Sequence, residues 1–188
     1  MAYTKASLTR LAAEVRAELG LLDSEPFDPH AWSEEYGVPF LSLDEVPISE
    51  LARQRFMRDR PDLWSAALLQ DGTGHLVLFN PAHSSERVRS NLAHEVAHFV
   101  AEHALTPAWL NDEGGCGSTA PSQEREAAEL AGALLVPFEH AKVHSMRDGD
   151  PVALARQFGV SPAMAGWRMR ASGGAIIAKR ARQKSLNR

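Results

Sequence analysis

In the stretch LAHEVAH, residues 92–98, two histidines stand four apart and a glutamate follows the first, all within an apolar run. On an α-helix, positions four apart differ by about 40° around the axis and about 6 Å along it, so His94 and His98 project side by side. Two imidazoles in that relation can share one zinc ion at bond lengths of about 2.0–2.1 Å. Glu95, turned about 100° from His94, lies beside such an ion, where a carboxylate can take a proton from water that the metal has acidified. The same pattern also arises in helices that bind nothing, so the chemistry requires a third ligand.

Helical wheels weigh the alternatives. With His94 at 0°, His98 falls near 40°, Arg87 near 20° and Asn91 near 60°, while Val88, Leu92, Ala93, Val96, Phe99 and Val100 spread from about 120° to 260°. The histidine pair therefore faces away from the main apolar stripe. His103, near 180° on the same wheel, is expected to be core or helix-end chemistry and not a ligand.

The third ligand is sought among the glutamates of EREAAELAGALLVP, residues 124–137. With Glu124 at 0°, Ala127, Ala128, Leu130, Ala131, Leu134 and Leu135 gather around it, whereas Arg125, Glu126 and Glu129 occupy an opposite arc from about 100° to 200°. Glu124 is thus expected to point inward, and an ionised carboxylate on an apolar face needs an ion pair or a metal. The plainer alternative is an exposed first-turn residue favoured by the helix dipole. His94, His98 and Glu124, with a fourth position open to water, make the donor set of catalytic zinc.

The elements that must hold these residues are legible from periodicity and punctuation. Residues 8–19 have helical apolar spacing and stop at Gly20. A short helix is expected from Asp28 as N-cap, through Pro29, to Gly37, followed by the strand VPFLSL. A third helix over 48–59 must end before Pro61, because the residue preceding proline avoids helical dihedrals. Residues 66–79 read as a hairpin turning at Asp71 to Gly74, after which a helix starts at Ser84 or Ser85 and carries the histidines. Residues 106–123 have loop composition, and helix returns at 122–136 before Pro137.

The chain has 188 residues, 44% of them hydrophobic and 23% charged, enough for one sizeable core. Its single cysteine, Cys116, excludes an internal disulfide framework. The charged N-terminal stretch does not resemble a secretory signal, and the longest apolar run, LAGALLVPF, falls short of the roughly 20 residues that span a bilayer. A cytoplasmic location without membrane association is expected. All 24 acidic residues lie at or before Asp150, whereas residues 151–188 hold eight of the 20 Lys and Arg, so the two parts carry −12 and +8.

The motif ERVRSNLAHEVAH, residues 86–98, together with EREAAELAGALLVP, resembles the paired motifs of the ImmA/IrrE-type zinc metallopeptidases. The flanking ALLQDGTGHLVLFNPAHS and LARQFGVSPAMAGWRM are similar to their counterparts there, and the resemblance covers roughly residues 25–170. It implies His94, His98 and Glu124 as zinc ligands and Glu95 as the catalytic base. It also implies an intracellular peptidase that cuts a helix-turn-helix repressor and so derepresses a mobile element or a stress response. The expected fold is α+β and mostly helical, with a small antiparallel or mixed sheet beside the HExxH helix in a minimal zincin-like (gluzincin-like) core. Residues 1–150 would form this domain with its N-terminal helices, 151–178 a helix-turn-helix-like segment packed on it, and 179–188 a flexible basic tail.

The chain departs from that family at Ala128, where an Asn or Asp is usual and could orient a ligand histidine; losing such a group typically costs 10–100-fold in affinity or activity. Asn111, Asp112 and Glu113 are possible substitutes. For the oxyanion, His83, Arg87, His140 and His144 are all possible by type, and His140 with His144 reads as a surface helix pair. Cys116 is either a thiolate cap for the metal or, on the plainer view, an exposed thiol. His and carboxylate ligands also tolerate manganese or iron.

A different class of function is a DNA-binding module. Residues 153–170 follow helix-turn-helix grammar, with Gly159 at the turn and Ser161 and Pro162 opening the second helix, and a basic segment follows. Steeply salt-dependent affinity for duplex DNA would mark that class. A regulatory or scaffold relative with weak or no peptidase activity is the remaining alternative. Oligomeric state is not encoded in any recognisable signal.

Overall fold

The protein's computed structural model describes residues 3–104, 120–147 and 149–186. In chain order the elements are α1 (Lys5–Glu18), α2 (Pro29–Tyr36), β1 (Phe40–Ser42), α3 (Glu50–Gln54), β2 (Ala66–Asp71), β3 (Gly74–Phe79) and α4 (Ser85–Val100). They continue with α5 (Pro121–Leu135), α6 (Phe138–Met146), α7 (Pro151–Phe158), α8 (Pro162–Ala171) and α9 (Gly174–Leu186). The fold is α+β and mostly helical, as expected. Contacts divide the chain into two compact units, Met1–Thr4 with Asp28–Ala131, and Lys5–Phe27 with Gly132–Arg188.

The first unit is built on a three-stranded mixed sheet of order β1-β3-β2. β2 and β3 form the expected hairpin, with Ala66 opposite Phe79 and Asp71 opposite Gly74. Gly72 at φ 59 supplies the left-handed residue that the two-residue turn demands. β1 joins the other edge of β3 in parallel, Phe40 opposite Val77, so β3 is central and β1 and β2 are the outer strands among the described residues. α4 lies across β2 and β3, and α2 packs on α4. Val77, Leu92, Ala93, Val96 and Ala97 are all buried there.

Local signals explain the ends of the elements. Asp28 caps α2 by accepting from the His30 backbone N–H, and Gly37 at φ 65 ends it. α3 runs on as a π-helical turn, Arg55–Asp59, and stops at Arg60 before Pro61. Ser84 caps α4 through the Arg87 N–H, which fixes where the HExxH turn falls along the helix. Buried Asn80 organises the connection into α4: its amide donates to the carbonyls of Phe56 at 2.8 Å and Trp64 at 3.1 Å, and its oxygen accepts from Ala82 N–H at 3.0 Å.

In the second unit α6 packs on α8 and α9, and α7 on α8. Two buried arginines satisfy carbonyls at and just beyond the end of α5. Arg16 donates to Leu134 O at 2.8 Å and Arg168 to Val136 O at 3.2 Å. α7, Gly159 at φ 62 and the Ser161-capped α8 follow helix-turn-helix grammar. Arg168 on α8 is nevertheless directed into the protein interior. The segment expected as a loose basic tail is helical through Leu186, because after Gly174 it contains neither Gly nor Pro and is rich in Ala, Lys, Arg and Gln.

Trp32 is the packing centre of α2. It is fully buried, with ring contacts to Phe99 at 5.4 Å, Phe40 at 6.3 Å and Tyr36 at 5.0 Å. Trp32→Ala should lower unfolding free energy by about 3–5 kcal/mol in urea titrations. A loss below about 1 kcal/mol would contradict this packing role.

Candidate metal centre

α4 carries His94 and His98 on one face, as their spacing requires, and the first turn of α5 brings Glu124 to them. His94 Nε2 is 3.1 Å from Glu124 Oε2, His98 Nε2 is 3.5 Å from Glu124 Oε1, and the two Nε2 atoms are 3.1 Å apart. A tetrahedral ion with bonds of about 2.0–2.1 Å sets its ligand atoms about 3.3–3.4 Å from one another. The observed separations bracket that edge length, so the donor set fits a small divalent cation in both chemistry and spacing. Among the described residues these three form the one group of potential ligands within 4.8 Å of each other.

The ligand atoms differ in exposure. The His98 side chain is 6% exposed, His94 29% and Glu124 47%. The expectation that Glu124 points inward is therefore corrected: it sits at the border of the buried face of α5, with exposed Ala128 one turn on and buried Ala127, Leu130 and Ala131 behind. A centre of this kind has one buried wall and one open side, as a site that must admit a substrate requires.

A model of the IrrE N-terminal-like domain, a peptidase family, matches residues 49–170, well over half of the chain and all of the cluster just described. The chain belongs to this family. No curated protein matches it.

In this IrrE-like domain, Glu95 leaves the histidine face of α4 and meets the sheet. Its Oε2 accepts the Leu68 backbone N–H from β2 at 2.8 Å. Burial raises the Glu95 carboxyl to about 7; the Leu68 hydrogen bond opposes the rise, and the negative charge of Glu124 adds to it. His98 moves the other way, down to about 3, through burial first and then its neighbours His94 and His103. It is held neutral, which is the state a metal ligand needs.

Two residues of this site escaped the sequence reading. His103 does not continue the wheel of α4. Glu102 takes a left-handed conformation at φ 52, and the N–H groups of Glu102 and His103 return to Phe99 O and His98 O in a Schellman turn. That reversal brings His103 Nδ1 to 3.0 Å from His98 Nδ1. Glu126, assigned to the outer arc of α5, has a 14% exposed side chain and lies 3.3 Å from His103 Nε2. A histidine five residues beyond the second ligand was the available signal, but a non-glycine C-cap concealed the turn.

The other candidates named from the sequence make contacts of their own. His83 Nε2 is 3.3 Å from Ser65 Oγ, which Arg87 also contacts at 3.3 Å, and burial lowers the His83 pKa. His140 packs edgewise on Phe158, and His144 Nε2 reaches Asp150 O at 2.9 Å, so this half-exposed pair on α6 makes local packing and hydrogen-bond contacts. Asn111, Asp112, Glu113 and Cys116 fall outside the described residues. No helix among the described residues is long and apolar enough to cross a membrane.

The Glu95 environment gives a pH prediction for chelator-treated protein. Its folded value, about 7, lies above the ordinary 4.5, so the fold favours the protonated form. That stabilisation is complete below about 4.5 and is lost as pH rises through about 7. Urea midpoints compared at pH 5 and pH 8 should fall less in Glu95→Gln than in wild type. Equal slopes in the two proteins would contradict the assignment.

Proposed function

We propose that this chain is a zinc-dependent peptidase in which His94, His98 and Glu124 hold the metal and Glu95 is the general base. The observation that carries this reading is the 3.1–3.5 Å convergence of two imidazole nitrogens and a carboxylate from separate helices, matching the edge of a tetrahedral site. When bound there, the ion supplies Lewis acidity, acidifying water and polarising a scissile carbonyl. Glu95 takes the water proton on a carboxylate oxygen and delivers it to the leaving amine nitrogen. Its tie to Leu68 N–H fixes the carboxylate against the outer edge of β2.

That edge suggests how substrate lies. Leu68 directs its N–H away from β3, and the main-chain groups of Gln70, two residues on, share that orientation. An extended peptide pairing with them would run beside Glu95 as an added strand. The resemblance to ImmA/IrrE-type peptidases points to a helix-turn-helix repressor as substrate. Cutting it would release a mobile-element or stress-response regulon.

The test is incubation of the protein with candidate repressors, with and without chelator. Wild type should cut one of them only when metal is present. Glu95→Gln should keep its metal while losing about 10²–10⁴-fold in rate. Cleavage by Glu95→Gln at the wild-type rate would remove Glu95 from the mechanism.

A further inference from the structure

We propose that His103 and Glu126 form a hydrogen-bonded strut behind the metal centre, setting the tautomer and ring orientation of His98 and hence the metal affinity. The inference rests on the metal-binding reading above. It assigns work to two residues outside the ligand set.

The argument runs inward from the carboxylate. Glu126 Oε1 accepts the Tyr3 backbone N–H at 3.1 Å, and its Oε2 lies 3.3 Å from His103 Nε2. An ionised carboxylate only accepts hydrogen bonds, so His103 Nε2 carries the proton and donates. With a single ring proton, held on Nε2, His103 presents a bare Nδ1, which lies 3.0 Å from His98 Nδ1. That contact is a hydrogen bond only if His98 Nδ1–H donates. The proton of His98 is thereby placed on Nδ1, and its Nε2 is left as a lone pair facing His94 Nε2 at 3.1 Å and Glu124. A metal ligand needs that tautomer, and a histidine whose other nitrogen is hydrogen-bonded holds the ring in place and is a stronger donor.

The strut has the rigidity of a positioning device. The His103 side chain is 3% exposed and Glu126 14%. His103 is delivered by a left-handed Glu102, a conformation that is strained for a non-glycine residue and persists only where surrounding structure holds it. Glu126 stands two residues after Glu124 on α5, so the same helix turn supplies a ligand to the front of the centre and the anchor behind it. Ala128, one turn beyond Glu124, offers no hydrogen-bonding side chain for this purpose.

Zinc affinity, measured by competition with a chromophoric chelator, separates the strut from mere packing. His103→Phe keeps an aromatic ring and removes the acceptor, and should weaken affinity about 10–100-fold. His103→Asn, whose Oδ1 can occupy the place of Nδ1, should bind within a few-fold of wild type despite the smaller side chain. Glu126→Ala should weaken affinity by a similar factor to His103→Phe. Cobalt-loaded His103→Phe should also show a shifted d–d spectrum, because the His98 ring is no longer fixed. Wild-type affinity and spectrum in His103→Phe would overturn the strut, as would His103→Asn binding as weakly as His103→Phe. The control is His94→Ala. If it binds zinc as tightly as wild type, the metal reading and the strut both fail; if it loses zinc while His103→Phe does not, only the strut fails.

Discussion

His94 and His98 turn their Nε2 atoms toward each other and toward Glu124 at 3.1–3.5 Å, a spacing that three lone-pair donors tolerate best around a cation. Much of the first compact unit can be understood as what is needed to bring them there. The histidines come at no cost beyond forming a helix, since four residues of α4 already align them. Glu124 is different, because α5 must be fixed in both position and rotation for its first turn to arrive. Buried Ala127, Leu130 and Ala131 fix the rotation, and the His103 to Glu126 contact ties the start of α5 to the end of α4.

The sheet gives the centre its second wall. Placing α4 across β2 and β3 directs Glu95 toward the strand, so the proposed base and the proposed metal ligands stand on neighbouring faces of a single helical turn. Burial against β2 pushes Glu95 toward neutrality, while an adjacent cation would draw it back to the ionised state that a base requires. The two influences oppose each other at the carboxyl proposed as the general base.

What could be read from the sequence was local. The HExxH spacing, the Asp28 and Ser84 caps, the 66–79 hairpin and the stop at Pro61 all depend on neighbours within a few residues, and each has its counterpart in the structure. Helical periodicity distinguishes Glu124 from its neighbours but misplaces its depth: the residue meets the histidines, yet it lies at the rim with a half-exposed side chain. The parallel pairing of β1 with β3 is a long-range choice that no short motif encodes. The strut behind His98 was hidden for a sharper reason. A wheel assumes that the helix continues, and α4 ends at Val100; of the two expectations for His103, core or helix end, the left-handed Glu102 realises the second and sets the ring against His98. Glycine would have announced that turn, and glutamate does not.

Membership of the IrrE N-terminal-like family and the convergence of donors lead to one chemical claim: a single divalent ion joins α4 to α5. X-ray absorption at the zinc edge, on protein loaded with one equivalent, addresses it most directly. The expected first shell is two imidazole nitrogens and carboxylate or water oxygens at about 2.0–2.1 Å, losing one imidazole in His98→Ala. A sulfur ligand, or a spectrum unchanged in His98→Ala, would contradict the account.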